Sequence, residues 1–123
     1  MSKISHVTLE LAREPGRPLG DRDHGYHLYL PLTEDGHIDG AAWASMRNVC
    51  RVRRFRPGED ERRGKIMHGP GGKWSFDYDD STDFDDEVGF RLKDEVFVPG
   101  EYVSIREDDG QMHTFQVKSV RPE

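Results

Sequence analysis

The chain has 123 residues, enough for one domain with a modest core and too few for two ordinary ones. Hydrophobic residues make up 33% and charged residues 34%, a balance that alone leans towards disorder, but two Trp, six Phe and four Tyr supply the large apolar area a core needs. The net charge of −6 argues against general nucleic-acid binding, no apolar run is long enough to span a bilayer, and the one cysteine, Cys50, excludes an internal disulfide.

The elements follow in chain order. Val7-Thr8-Leu9-Glu10-Leu11 alternates apolar and polar residues, the period of a half-buried strand. The Pro- and Gly-containing stretch from Arg13 to Gly25 reads as a loop, and Tyr26 to Leu30 as a strand ended by Pro31. Asp39 is placed to cap a short helix near residues 40–47, running from Gly40 to Met46, with Trp43 as its anchor. Val49 to Phe55 reads as a strand in which Cys50 and Val52 share a face. A β-bulge near Arg53-Arg54 is expected to turn Phe55 inward and to leave Arg51, Arg54 and Arg56 pointing out. Cys50 is expected as a small core hydrophobe rather than a nucleophile.

Lys65 to His68 and Lys73 to Tyr78 flank Gly69-Pro70-Gly71-Gly72, a hairpin with Pro70-Gly71 as the expected turn centre. Trp74, Phe76 and Tyr78 lie on one face of it. Phe90 to Val98 is expected to add one or two strands. The last hairpin joins Tyr102–Glu107 to Gln111–Val120 through Asp108-Asp109-Gly110. A three-residue loop with Gly110 left-handed pairs Ile105 with His113 and Val103 with Phe115, and puts Val103, Ile105, Phe115 and Val117 on one face. The whole reads as one mostly β domain over residues 1–123, a small antiparallel barrel or two-sheet sandwich with one short helix.

Three clusters are candidates for function. The first is acidic: Asp77, Asp79, Asp83 and Asp85, with neighbours through Glu87, offer the oxygens a divalent cation such as Ca²⁺ takes. Against this, Thr82 stands where an EF-hand loop has glycine and Val88 where it has glutamate, so a solvated acidic loop is the weightier reading. The second is His24 and His27 beside Asp21 and Asp23, ligand types for Zn²⁺, Fe²⁺ or Mn²⁺. Three residues apart on a strand, the two histidines face opposite sides unless Gly25 bends the chain.

The third cluster is basic. Residues 47–73 carry nine Lys and Arg against three Asp and Glu, while residues 74–123 carry five against fourteen. Arg51, Arg54 and Arg56 are the candidate binding residues. With Trp74, Phe76 and Tyr78 as a stacking platform they would suit single-stranded nucleic acid, although those aromatics are better spent on the core. No nucleophile, dinucleotide or zinc-protease motif is present, no acid–base pair stands out, and no cofactor beyond a divalent metal is suggested.

The leading expectation is therefore a non-enzymatic binding or protein-interaction module whose partner is another protein or a second copy of the chain. A metal-dependent enzyme or metal-binding protein is the alternative, and a single-stranded nucleic-acid binder the third reading. No membrane is expected as a partner. The start of the chain has no apolar segment of signal-peptide length, so the expected compartment is the cytoplasm.

Overall fold

Short alternating segments bounded by turn formers give eight strands in the computed structural model, which describes residues 3–14, 18–68, 74–79, 87–89, 95–107 and 110–123. These are β1 (Ile4–Leu11), β2 (Asp21–Pro31), β3 (Arg51–Phe55), β4 (Arg62–His68), β5 (Trp74–Tyr78), β6 (Glu87–Gly89), β7 (Tyr102–Arg106) and β8 (Met112–Pro122). Each pairs antiparallel with the next in the chain, and β8 pairs antiparallel with β1, so the sheet curls into an up-and-down barrel. Among the described residues β6 joins β5 by three residue pairs and β7 by one, Val88 with Arg106.

The one helix of the described residues, α1 (Gly40–Met46), lies between β2 and β3. The Asp39 side chain accepts a hydrogen bond from the Ala42 amide at 3.0 Å, as a cap should. Trp43 donates its indole N–H to the Ile66 carbonyl at 3.0 Å and meets Trp74 edge to face, which pins the helix across one end of the barrel.

Inside the barrel, alternate residues of the strands interlock. Leu9, Leu28, Val52, Ile66, Phe76, Val103, Ile105, Phe115 and Val117 are all buried, together with Trp74, Tyr78 and Cys50. Burial raises the Cys50 thiol pKa to about 11 against the opposing charge of Arg51, so it stays a neutral core group.

The C-terminal hairpin has the expected register: Val103 pairs with Phe115, Ile105 with His113, and Gly110 holds a φ of 79°. Elsewhere three expectations are corrected. The loop after β1 ends at Gly20, and β2 starts at Asp21 rather than Tyr26. Gly25 belongs to the strand because Phe55 packs over it; a Cβ there would sit 1.9 Å from the Leu9 carbonyl oxygen and 2.7 Å from the Phe55 ring. The β3 register is continuous with no bulge, so Arg54 points inward and is 3% exposed, while Phe55 lies half-buried on the outer face against His27.

In the β4–β5 hairpin, His68 pairs with Trp74 and Ile66 with Phe76, one step from the register a Pro70-Gly71 centre requires. Burial decides this: the expected register would set Ile66 opposite Ser75 and break the inward row. Pro70 and Gly71 themselves lie outside the described residues. Of the stretch 90–98 expected to add one or two strands, residues 95–98 are not strand and residues 90–94 lie outside the described residues.

Candidate functional site

The outer face of β1 to β4 concentrates cations and aromatic rings. Strand pairing sets Arg121, His6, Tyr29, Arg51, Lys65 and Asp77 side by side across six strands. A second row runs through Thr8, His27, Arg53 and Arg63. On this face Arg51 stands opposite Lys65 and Arg53 opposite Arg63. Like charges directly opposed across a strand pair repel, so this arrangement works against the fold.

Side chains on this face brace one another. The Arg51 guanidinium lies 4.0 Å from the centre of the Tyr29 ring, and His6 stacks on the same ring at 4.5 Å. Arg53 donates to both carboxylate oxygens of Glu61 at 2.8 and 2.9 Å and to the Tyr29 hydroxyl at 3.0 Å; Arg63 reaches Glu61 at 3.3 Å. The Arg53 bonds hold the Glu61 carboxyl below its usual range. Glu123 pairs with Arg51. Tyr29, Arg51, Arg53, Arg63 and Lys65 line a cleft of about 450 Å³. A larger groove, about 1070 Å³, opens between Arg13, Arg22, Lys118, Glu10, Asp21 and Asp23. Its lining carries three cationic and three anionic side chains.

His6 and His27 meet in the middle of the cationic face, with His6 Nε2 and His27 Nδ1 2.8 Å apart. Burial, then Arg53, Arg121 and Arg51, lower the pKa of His6 against the pull of Glu123. Burial, then His6 and Arg53, lower that of His27 against Glu61. Both are held towards the neutral form, in which one ring donates the N–H and the other accepts it.

Behind this face, at the barrel end away from α1, the inner row turns polar. The Glu107 carboxylate accepts a hydrogen bond from the Tyr26 hydroxyl at 2.5 Å and from Arg56 at 3.1 Å, and lies 3.1 Å from His24 Nε2. His113 Nε2 is 3.7 Å from the same carboxylate, and its Nδ1 is 3.0 Å from Glu14. Burial alone would raise the Glu107 pKa. The bonds from His24 and Tyr26, with the charges of His24 and Arg56, outweigh it and bring the pKa down to about 2. A carboxyl so strongly ionised and so fully paired is a structural tie and not a poised acid.

The candidate residues named from the sequence scatter. His24 joins the buried layer and His27 turns outward to His6, the opposite-face outcome of a three-residue spacing. Asp77 and Asp79 are exposed beside β4, and Asp83 and Asp85 lie outside the described residues. Among the described residues no group of three or more His, Cys, Asp or Glu could hold a metal ion, and none of these side chains is assigned as a metal ligand. Of the three arginines expected to point out, Arg51 does. Arg54 is buried and reaches Glu59 at 3.4 Å, and Arg56 turns in to Glu107. Trp74, Phe76 and Tyr78 are core.

Arg53 belongs to the basic cluster read from the sequence, whereas Tyr29 and Glu107 were not singled out and His6 was named only among scattered histidines. For Glu107 the signal was present, since it continues the inward alternation of Val103 and Ile105. No helix of the described residues is long and apolar enough to cross a membrane. Compared with known proteins, the chain matches no family model, no curated protein and no solved structure.

Proposed function

We propose that this protein is a non-enzymatic interaction module that docks an acidic partner protein through the outer face of β1 to β4. The observation that carries the reading is the direct opposition of Arg51 with Lys65 and Arg53 with Arg63 on an exposed face of an otherwise acidic chain. Glu61 and Glu123 already offset part of this repulsion, and carboxylates of an acidic partner settling between the cations would offset more. A protein partner is favoured over single-stranded nucleic acid because the Tyr29 ring already carries His6 and Arg51, and the Trp74, Phe76 and Tyr78 rings are buried, which leaves bases little to stack on. The chain has one cysteine and that one is buried, which suits the reducing cytoplasm as the place of action.

A fluorescently labelled decaglutamate peptide tests this by anisotropy at low salt. Wild-type protein is expected to bind and to weaken steeply as salt rises, because exposed charges are screened. The double variant Arg51→Ala/Arg63→Ala removes two contacts of roughly 0.5–1 kcal/mol each, a loss of about tenfold in affinity. Absence of binding at low salt, or equal binding by the double variant, would sink the proposal. The same samples run by sedimentation reveal whether a second copy of the chain, through its own acidic residues, is the partner: the mass then falls towards monomer as salt rises.

A further inference from the structure

We infer that the His6–His27 pair is the proton-linked element of this docking face, taking up a proton when an acidic partner binds and so strengthening the complex as pH falls. The inference rests on the docking reading above.

The geometry comes first. The two rings project from adjacent strands of the same outer face, and their nitrogens lie 2.8 Å apart. In the neutral pair one N–H is shared between two nitrogens. A first added proton leaves the contact intact, with an imidazolium donating to a neutral ring. A second makes both facing nitrogens donors and drives them apart. The pair therefore gains one positive charge without losing its structure.

What faces the pair decides when that charge appears. Arg121 of β8 stands opposite His6, and Arg53 of β3 opposite His27. Arg51 adds its charge from β3, Thr8 Oγ1 lies 3.4 Å from His27 Nδ1, and Tyr29 and Phe55 pack against the rings. Among the described residues Glu61 and Glu123 pull the other way, and each is engaged by an arginine. In the free protein burial, and after it the neighbouring positive charges, lowers the pKa of each histidine.

A docked carboxylate reverses the local field. It sits among the same arginines, offsets their share of the lowering, and adds a negative charge beside the rings that raises the pKa of the pair. By linkage, a group protonated more fully in the complex than in the free protein makes binding tighter at lower pH. The window lies at and below the usual histidine value of 6.5, where the free pair is still neutral.

The test is the dissociation constant of the labelled decaglutamate at pH 7.5, 6.5 and 5.5 at fixed low salt. Crowded glutamates titrate above the isolated value of about 4.3, and their partial protonation at pH 5.5 weakens binding, opposite in sign to the effect expected of the histidines. Wild-type affinity is expected to rise roughly tenfold for each unit by which binding raises one histidine's pKa. The double variant His6→Gln/His27→Gln should gain no affinity as pH falls, its fold checked by a melt at pH 7.5.

A second readout needs no variant. The ring-proton NMR titration of His6 and His27 should move to higher pH when the peptide is present. Binding that is pH-independent in the wild type, or equally steep in the variant, or histidine titrations unmoved by peptide, would overturn the inference and leave the docking reading standing. No binding at any pH overturns both.

Discussion

Glu107→Gln is expected to cost about 3 kcal/mol of stability at neutral pH. The carboxylate lies in the barrel interior with Tyr26, Arg56 and His24 around it. Removing its charge leaves the Arg56 guanidinium, itself largely buried, facing a neutral amide. The pKa gives the same magnitude by a second route. Held at about 2 against an ordinary 4.5, the ionised carboxyl contributes roughly 3 kcal/mol to the folded state.

The sign follows from the direction of that shift. A carboxyl more acidic in the folded chain stabilises it above the unfolded value, and the contribution disappears as pH falls from about 4.5 through about 2. Wild-type protein should lose stability across that interval, and the variant should lack this part of the acid limb. Urea midpoints at pH 7 and pH 3 measure both. A variant within about 1 kcal/mol of wild type at pH 7, at unchanged m-value, would show that the layer does not hold the barrel end together.

Glu61→Gln is expected to move stability and binding in opposite directions. Glu61 is the carboxylate that spans the opposed Arg53 and Arg63, with contacts from 2.8 to 3.3 Å. Without it the two guanidiniums face each other uncompensated, a loss of roughly 1 kcal/mol for a partly exposed bridge. The same change removes a carboxylate that competes with an incoming acidic partner. Decaglutamate should therefore bind the variant about fivefold more tightly, the equivalent of about 1 kcal/mol. A purely structural role for Glu61 predicts the loss of stability without the gain in affinity. Weaker peptide binding by a folded variant would count against a docking face at this position.

The Arg-rich strand shows what the chain could and could not tell. Its charge excess between residues 47 and 73 was plain, yet two of the three arginines chosen as binding residues turned out to face inward. The error came from Phe55. Reading it as core demanded a bulge, and the bulge turned Arg54 out. In the barrel, Phe55 instead covers Gly25, where no side chain fits, and the strand runs on without interruption. A glycine on the neighbouring strand made an outward aromatic favourable, and that neighbour is fixed only by long-range pairing.

Local pattern determined a good deal. The capped helix at Gly40–Met46, the alternation of most strands, the left-handed Gly110 and the register of the last hairpin all depend on residues close in sequence. Each is decided by backbone sterics, a side-chain cap or the burial of one face, and those act over a few positions. The closure of β8 on β1, the meeting of His6 with His27, the alignment of Arg51 with Lys65, and the gathering of His24, Tyr26 and Arg56 around Glu107 were decided by the tertiary structure alone. Each joins residues on different strands. Which strands are neighbours, and in what register, is set by how the whole apolar interior packs, and no short segment carries that information.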